Sequence, residues 1–494
     1  MFQKKGTKFK FLLVLLTSAV AISPHVFAYF KAPQGYYFGG FNILTNLVDV
    51  QGVYFPAMRN FAAGDWLFRN QFNPGMKPIF LHAVYLVLGK IVAISNFPVW
   101  VVYVGAIFVL TIPFVFLVFA FLDKIFGNFK KELFAFGLVI FGGFIGATYP
   151  EVSGIFTLQF PHFIVSVFSL FLFLYNLYLL HEGSFPLHII LILVSSLLIS
   201  ITHPWLMVFL LAFTALWIFY LFLIKGYWAR VALVFFTGLA VSVPFLLYYG
   251  GSQRIPWAGY VLPFGVGQLL LMFAPEVPFF IYGFLNRFRK YPFFAIWFAV
   301  QLFFVFLPIP FARRFLEGIY FPIAVFSFLG FSDIVERLTK GKHIFSYYLP
   351  AFCYLSLGTI VTFFWSFLWI PNPYVYKSLA EKEASGFLDT TASRHQEILT
   401  MAGSGNYLAS EVSANLFVGH PLDTNEYTRK STFAREFYSA KDASLWQEKL
   451  LYENICYIYN GPMEKKLRGQ IEADYMQRIF SNSKVDIYKT SWCK

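Results

Sequence analysis

The sequence contains few charged residues for its length. Of 494 residues, 13% are Asp, Glu, Lys or Arg and 58% are hydrophobic, whereas about a quarter of the residues of an average soluble domain are charged. Runs of roughly 20 apolar residues, the length that crosses a ~30 Å hydrocarbon core as a helix, recur between Phe11 and Ile370. A soluble globular protein is therefore excluded, and the pattern predicts an all-α polytopic membrane protein.

Motifs that hold a nucleotide are also missing. The sequence has neither a Walker loop nor a dinucleotide-binding glycine pattern between a strand and a helix. This excludes a transport ATPase, and neither a soluble sugar-nucleotide donor nor a nucleotide cofactor is expected. The sequence shows no internal repeat, although repeated halves are typical of many transporters.

Cysteine is scarce as well. Cys353 lies in an apolar run, whereas Cys456 and Cys493 lie in the polar C-terminal region. The latter two could form a disulfide if that region lies outside the cytoplasm, where the environment is oxidising. The sequence alone leaves this pairing open.

The net charge of +13 arises from short Lys and Arg clusters between apolar runs. This distribution is typical of cytoplasmic loops next to anionic membrane lipid, so no nucleic-acid partner is expected. Lys4, Lys5, Lys8 and Lys10 precede the first apolar run and place the N-terminus in the cytoplasm. The alternative is a signal peptide cleaved before Tyr29.

Counting from a cytoplasmic N-terminus predicts about eleven spans, with the basic loops from Lys124 onward on the cytoplasmic side. Pro78–Asn96 is interpreted as a juxtamembrane or re-entrant helix, although a full crossing stays open. The first loop, residues 31–77, and the C-terminal region then face outward. The predicted spans are Phe11–Phe30, Val99–Leu122, Leu133–Thr148, His162–Leu180, Leu187–Thr202, Pro204–Ile224, Val231–Tyr249, Leu262–Leu285, Phe293–Ile309, Leu316–Phe331 and Phe345–Ile370.

Polar residues occur throughout the chain beyond Pro371, and residues 380–494 are long enough for a small domain. We therefore expect a transmembrane domain of residues 1–371 and a small extracytoplasmic α/β domain of residues 380–494. The predicted strands are Asn406–Ala409, Leu416–Val418, Ile455–Tyr459 and Val485–Tyr488, and the predicted helical segments are Tyr427–Tyr438 and Asp442–Tyr452.

Charged and polar side chains gather at the outward ends of the predicted spans, most densely in the stretch Asn46–Gly75 of the first loop. Acids and bases at one depth of the membrane suit a substrate with an anionic phosphate head and a lipid tail. The set is Asp49, Tyr54, Arg59, Asp65, Arg69, Tyr149, Glu151, His162, His203, Arg254, Arg313 and Arg314.

These residues also have ordinary structural roles open to them. Asp49 could be a loop carboxylate or a helix cap, and the arginines of the first loop could extend to lipid headgroups. His162 and His203 could be structural histidines at helix ends. Glu276, which lies between two prolines in a predicted span, could pair with a neighbouring helix instead of acting on a substrate.

The order of several motifs resembles the GT-C superfamily of integral-membrane glycosyltransferases, and within it a bacterial branch. In the first loop an acid precedes Tyr, Arg and a Gly-Asp-Trp turn, formed by Asp49, Tyr54, Arg59, Gly64, Asp65 and Trp66. The later motifs are YPEVSGIFTLQFPHF (149–163), THPW (202–205), RRFLEGIYFP (313–322), NLFVGHPLDTNEYTRK (415–430) and YIYNGPMEKKL (457–467). Together they cover most of the chain.

The resemblance implies transfer of a hexose or pentose, with inversion, from a polyprenyl-phosphate donor to a glycan, lipid or protein acceptor. The reaction would take place at the outer face of the cytoplasmic membrane. The resemblance also implies that Asp49 is the catalytic residue, with Asp65 as the second candidate. No paired acid adjoins Asp49, so the identity of the base and any requirement for a divalent cation stay open.

We hypothesise that Asp49 takes the proton of the acceptor hydroxyl and that Arg313 or Arg314 offsets the charge growing on the leaving phosphate. The predicted substrate-binding residues are Tyr54, Arg59, Glu151, His162, His203, Arg313 and Arg314. Two other functions stay open. One is a transporter or flippase of lipid-linked sugars that holds the same headgroup, and the other is a non-catalytic surface-assembly protein.

Overall fold

The computed structural model describes residues 2–40, 49–80, 83–143, 153–180, 185–224, 226–251, 265–309, 312–340, 344–368, 375–467 and 471–493. The chain divides into two compact units. One, here called the helical unit, comprises residues 1–24, 105–253 and 259–368. The other, here called the sheet unit, comprises residues 25–104, 254–258 and 369–494, and it therefore contains both the first loop and the C-terminal region.

The part of the chain before residue 369 is mostly helical, as expected for segments that must satisfy their own backbone hydrogen bonds in lipid. Its first elements are α1 (Phe2–Phe30), β1 (Tyr36–Phe38), a π-helical turn (Val50–Tyr54), α2 (Phe55–Ala62), α3 (Ala83–Ser95), α4 (Val99–Phe126), α5 (Phe129–Phe141), α6 (Gly154–Thr157), α7 (Pro161–Tyr178), α8 (Phe185–Thr202), α9 (Pro204–Leu223) and α10 (Trp228–Gly251). They are followed by α11 (Val266–Met272), α12 (Val277–Arg287), α13 (Pro292–Val305), a 3-10 helix (Ala312–Leu316), α14 (Tyr320–Thr339), a 3-10 helix (Ile344–Tyr347), α15 (Tyr348–Leu355) and α16 (Leu357–Leu368).

Six helices among the described residues are long and apolar enough to cross a membrane. Two bent pairs raise the number to eight if each pair counts as one span: α11 with α12, bent by 98°, and α15 with α16, bent by 57°. The six are Thr7–Phe30, Val99–Phe126, Pro161–Tyr178, Phe185–Thr202, Pro204–Leu223 and Trp228–Tyr248. The chain is therefore a multi-pass helical membrane protein.

The prediction of about eleven spans is not confirmed. Helix α5 has 13 residues and α13 has 14, whereas about 20 are needed to cross the hydrocarbon core. Helix α14 has 20 residues but carries Asp333, Glu336 and Arg337 near its C-terminal end. The segment predicted as juxtamembrane or re-entrant forms α3, an apolar helix of 13 residues.

Two glycines bring α12 and α14 into backbone contact in the helical unit. A Cβ on Gly283 would lie 2.0 Å from the carbonyl oxygen of Phe326, and one on Gly330 would lie 2.0 Å from that of Phe279. No larger side chain fits at either position, and small residues allow helices in membranes to pack this closely. Helix α14, which follows the 3-10 helix of Arg313 and Arg314, is therefore packed directly against α12.

The C-terminal region forms a five-stranded sheet with helices, so the predicted small α/β unit is confirmed. The elements are β2 (Tyr376–Ser378), α17 (Leu379–Thr391), β3 (Glu397–Leu399), α18 (Ala402–Glu411), β4 (Asn415–Leu416), α19 (Tyr427–Ser439), a 3-10 helix (Ser444–Trp446), α20 (Gln447–Tyr452), β5 (Ile455–Asn460), β6 (Met476–Ser481) and β7 (Asp486–Thr490). The strand order is β4-β3-β5-β7-β6, parallel between β4, β3 and β5 and antiparallel between β5, β7 and β6. A separate ribbon pairs β1 of the first loop with β2.

The strand β5 is buried on both faces of the sheet, and its successive side chains point to opposite sides. In β5, Tyr457 and Tyr459 pack into one apolar cluster with Leu388 of α17, whereas Ile458 packs into the other with Phe437 of α19. This burial explains why β5 is mostly apolar, a pattern that is typical of a central strand.

The predicted helix over Tyr427–Tyr438 is confirmed as α19, and the predicted strand over Ile455–Tyr459 is confirmed as β5. The predicted strand Asn406–Ala409 is wrong because these residues lie within α18. They are buried in the helix, and a short buried run has the same apolar pattern in a helix as in a central strand. Cys456 and Cys493 form a disulfide, which settles the pairing that the sequence left open.

Candidate functional site

Asp49, the predicted catalytic residue, lies directly before the π-helical turn of the sheet unit. Its Oδ1 lies 2.8 Å from Nε2 of His420, which follows β4 in the chain. The other ring nitrogen of His420, Nδ1, lies 2.6 Å from Oδ2 of Asp423. An imidazole between two carboxylates satisfies both by donating from both nitrogens, as the charged imidazolium does.

The electrostatics of this group favour the charged histidine. Burial by itself would lower the pKa of His420, but the hydrogen bonds and charges of Asp423 and Asp49 outweigh burial and raise the pKa to about 9. The side chain of His420 is only 5% exposed, whereas that of Asp49 is 28% exposed. Asp49 is therefore an accessible carboxylate that faces a buried positive charge.

A glycine allows the π-helical turn to approach the C-terminal region this closely. A Cβ on Gly52 would lie 2.6 Å from Oδ1 of Asn406 and 3.2 Å from Cβ of His420. An added Cβ would require the Asn406 side chain to shift and would crowd the Cβ of His420. Glycine at position 52 thus leaves space for the π-helical turn to lie close to His420.

The middle of the first loop is hydrogen-bonded to the C-terminal region. The guanidinium of Arg69 donates to the carbonyl oxygens of Arg394 and Ser413, each at 2.9 Å. The backbone N–H of Leu416 in β4 donates to the carbonyl oxygen of Gln71 at 3.0 Å. Arg69 therefore binds protein backbone, not the lipid headgroups that the sequence left as one interpretation.

The remaining first-loop candidates lie in the same unit, and each has its own partner. Arg59 lies 3.0 Å from Asp389, Asp65 lies 3.2 Å from Arg394, and the ring of Tyr54 stacks on that of Tyr85 with centroids 4.6 Å apart. Arg59 and Asp65 thus contribute to the attachment of the first loop to α17 and the segment after it. Their predicted roles in catalysis and substrate binding stay predictions.

A second group of polar side chains lies in the helical unit. Oε2 of Glu317 lies 2.6 Å from Nδ1 of His203 and accepts a hydrogen bond from the hydroxyl of Ser166 at 3.2 Å. The Glu317 side chain is fully buried, and its Oε1 has no hydrogen-bond partner among the residues that the structure describes. Gln301 donates to the carbonyl oxygen of Glu317 at 2.7 Å and so fixes the backbone beneath it.

Arg314 belongs to this second group. Its guanidinium carbon lies 5.0 Å from the ring centre of Phe163 and 6.0 Å from that of Trp205, within the range of cation–π attraction. The ring of Trp205 stacks on His203 with centroids 4.8 Å apart, and His162 meets His203 edge to face at 5.4 Å. The structure therefore brings together His162, His203 and Arg314, all predicted to bind substrate.

The predicted site residues thus form two groups, one in each unit. Arg313 lies next to Arg314 in the 3-10 helix Ala312–Leu316 and is half-buried. Glu151 lies outside the described residues, as do Tyr149 and Arg254.

Glu276 has a structural partner. It lies at the break between α11 and α12, and its Oε1 accepts a hydrogen bond from the backbone N–H of Gly143 at 2.8 Å. The hydroxyl of Thr359 donates to the carbonyl oxygens of Gly142 and Gly143 at 3.1 and 3.2 Å. Glu276 thus satisfies a buried backbone group after the end of α5, as in the helix-pairing interpretation that the sequence left open.

Within the described ranges, no group of three or more His, Cys, Asp and Glu side chains is arranged to hold a metal ion. Asp49 and Asp423 lie on opposite nitrogens of His420 and so do not converge on a common point. No step through a metal is therefore assigned to these residues.

Three residues of these groups were not among the sequence candidates: His420, Asp423 and Glu317. His420 and Asp423 are the first and last residues of a His-Pro-Leu-Asp sequence that follows β4. Polar loop residues after a strand are a common location for a functional site. Glu317 is an acid shortly before the apolar start of α14, and an acid near a membrane-spanning segment is a signal for function. Both signals are present in the sequence, but neither indicates that His420 contacts Asp49 or that Glu317 contacts His203.

The chain has a fold similar to that of solved membrane glycosyltransferases. The oligosaccharyltransferase AglB of Archaeoglobus fulgidus, in complex with an inhibitory peptide and a dolichol-phosphate, aligns with a TM-score of 0.60 at 12% identity, over 92% of this chain and 69% of that protein. A structure of the Archaeoglobus fulgidus oligosaccharyltransferase with zinc and sulfate aligns with a TM-score of 0.59 at 12% identity, over 97% of this chain and 73% of that protein.

The mycobacterial arabinofuranosyltransferase AftD aligns with a TM-score of 0.59 at 11% identity, over 97% of this chain and 40% of AftD. At these identities the likeness concerns the fold, and the GT-C resemblance inferred from the sequence is confirmed at that level. No protein-family model and no curated protein sequence matches the chain.

Proposed function

Starting from its GT-C fold, we propose that the protein is a membrane glycosyltransferase that moves a sugar from a polyprenyl-phosphate donor to an acceptor at the outer face of the cytoplasmic membrane. A fold by itself does not imply a function, so the proposal depends on the site. The observation that carries it is Asp49, an accessible carboxylate that the first loop and the C-terminal region hold in place together.

Asp49 acts as general base in this proposal. It takes the proton of the acceptor hydroxyl while the acceptor oxygen bonds to the anomeric carbon of the sugar. The bond between that carbon and the phosphate oxygen breaks, and its electron pair leaves with the polyprenyl phosphate. A single displacement of this kind inverts the anomeric centre.

The group around Arg314 is assigned to the donor phosphate. A guanidinium matches the geometry of phosphate oxygens and remains charged at all relevant pH values. Arg314 lies over two aromatic rings beside His203, and Arg313 adjoins it in the chain. These cationic and hydrogen-bonding groups would offset the charge that develops on the leaving phosphate.

The sidedness of the reaction is proposed from two observations. The Lys-rich N-terminus favours a cytoplasmic start. The disulfide between Cys456 and Cys493 is typical of a region exposed to an oxidising environment and supports an extracytoplasmic C-terminal region. The first loop belongs to the same compact unit as that region and would face the same side.

The test is a transfer assay with purified full-length protein and a panel of polyprenyl-phosphate sugars, in which the release of free polyprenyl phosphate is measured. Asp49→Asn should abolish release while the protein stays folded. Asp474→Asn, which changes an exposed aspartate of the C-terminal region, should leave release unchanged. Asp65→Asn is included because Asp65 is the second candidate for the base.

Three outcomes would contradict the proposal or part of it. An Asp49→Asn protein with the wild-type rate would exclude Asp49 as the base, and loss of activity in Asp65→Asn alone would move that role to Asp65. If the wild-type protein releases no polyprenyl phosphate from any donor but moves lipid-linked sugars across vesicle membranes, the transporter interpretation is correct instead.

A further inference from the structure

We propose that His420 is a positioning residue for Asp49, so that the C-terminal region supplies part of the catalytic machinery of the first loop. The inference rests on the proposed function, in which Asp49 is the general base. It assigns to the C-terminal region a role in the transfer step that is separate from any binding of the acceptor.

His420 is a buried side chain that contacts two carboxylates, those of Asp49 and Asp423. His420 is 5% exposed, and its two ring nitrogens lie 2.8 Å from Asp49 and 2.6 Å from Asp423. Because both partners are carboxylates, rotation of the imidazole is opposed at both ends. Asp49 therefore has one oxygen in a fixed charge-assisted hydrogen bond, which restricts the orientation of the carboxylate.

The first loop also donates a hydrogen bond to the loop that carries His420. The first loop supplies Asn70, whose side-chain amide donates to the backbone carbonyl of Asp423 at 2.9 Å. The C-terminal region thus holds Asp49 through His420, while the first loop holds the backbone of Asp423, whose carboxylate contacts the other ring nitrogen of His420. Gly52 allows the close approach that both contacts require.

The charged groups that face His420 are Asp49 from the first loop and Asp423 from its own loop. Asn406 of α18, which also lies close to the turn, is uncharged. Tyr85 and Tyr103 also lie near Asp49, and both are uncharged at neutral pH. Among the described residues, both ionised groups that contact the imidazole are therefore negative.

The sign of the pH dependence follows from this arrangement. The pKa of His420 is raised from 6.5 to about 9 in the folded protein, so the stabilisation from the pair is fully present below 6.5 and is lost as the pH rises through about 9. If the charged imidazole positions Asp49, the transfer rate should fall over the same upper range.

The test uses the purified full-length protein with the polyprenyl-phosphate sugar that supports transfer. His420→Gln keeps an amide N–H near the position of Nε2, whereas His420→Asn keeps one near the position of Nδ1. We expect His420→Asn and His420→Ala to lower kcat about ten- to a hundred-fold, the usual weight of a charge-assisted hydrogen bond, with the donor KM unchanged. His420→Gln should retain more activity than either, and its rate should no longer fall near pH 9.

His395→Gln is the matched control because it makes the same substitution at an exposed histidine of the C-terminal region, and it should behave as the wild type. A second measurement requires no transfer activity. Unfolding is compared among Asp49→Asn, His420→Gln and the double variant, and the double variant should lose no more stability than the more harmful single change.

The outcomes separate this inference from the proposed function. If Asp49→Asn abolishes transfer but His420→Asn keeps the wild-type kcat and pH profile, His420 is not a positioning residue. Equal losses in Gln, Asn and Ala variants with a raised donor KM indicate a merely structural role and also overturn the inference. If Asp49→Asn is fully active, the proposed base fails, and the unfolding comparison still decides whether the two residues are coupled.

Discussion

The disulfide between Cys456 and Cys493 offers a test of both stability and sidedness. The two residues are 37 positions apart, and the chain-entropy relation for a closed loop of that size gives about 4 kcal/mol at 25 °C. Replacing both cysteines with alanine should therefore lower the free energy of unfolding of the C-terminal region by about 2–4 kcal/mol, the usual range for such bonds. Cys353→Ala, at the exposed cysteine outside the bond, is the matched control.

Two assays measure the effect. Urea unfolding followed by tryptophan fluorescence gives the loss of stability, and reductant should lower the wild-type midpoint to that of the double alanine variant. Thiols are counted by maleimide gel shift in membranes that are alkylated and denatured at once. We expect one reactive thiol before reduction and three after it. Three reactive thiols before reduction would refute an oxidising location for this region, and with it the proposed sidedness.

Three further substitutions test contacts within the two units. Arg69→Ala should lower the free energy of unfolding by about 2–4 kcal/mol because the backbone carbonyls of Arg394 and Ser413 lose the half-buried guanidinium that donates to them. Urea midpoints would show this, with Arg69→Lys recovering only part of it, and an unchanged midpoint would contradict the assignment. Gly52→Val should cost about 1–3 kcal/mol by overpacking and lower the transfer rate; a wild-type rate would show that the close approach is not needed. Glu317→Ala should cost about 1–3 kcal/mol because the buried His203 imidazole and Ser166 hydroxyl lose their hydrogen-bond partner. Thermal unfolding would measure it, with the exposed Glu336→Ala as control, and equal midpoints for the two variants would count against these buried hydrogen bonds.

Asp49 could be chosen as a candidate from the local sequence, but its environment could not be predicted. An acid in a polar loop next to an apolar span is visible in composition and order. Its partner His420 lies 371 positions away, and no periodic pattern connects two loops at that distance. Glu317 was overlooked for the same reason, since its contacts with Ser166 and His203 join three separate helices or their ends.

The number of membrane spans shows a different limit of prediction from the sequence. Long apolar runs such as Val99–Phe126 were recognised because length alone identifies them. The run predicted over Leu262–Leu285 breaks between α11 and α12, at a site where Pro275 precedes Glu276 and Pro278 follows it. Hydropathy averages over such a break, whereas proline removes a backbone donor and interrupts the helix.

The separation of Asp49 and His420 in the chain also constrains how the protein is made. Ribosomes extend a chain at roughly 5–20 residues per second, so about 20–70 s pass before the histidine is synthesised after the aspartate. During that interval the helices between the two residues enter the membrane, and His420 is not yet present to contact Asp49. A chain released early would contain Asp49 but not His420. The contact between the two residues can therefore form only when synthesis of the C-terminal region is nearly complete.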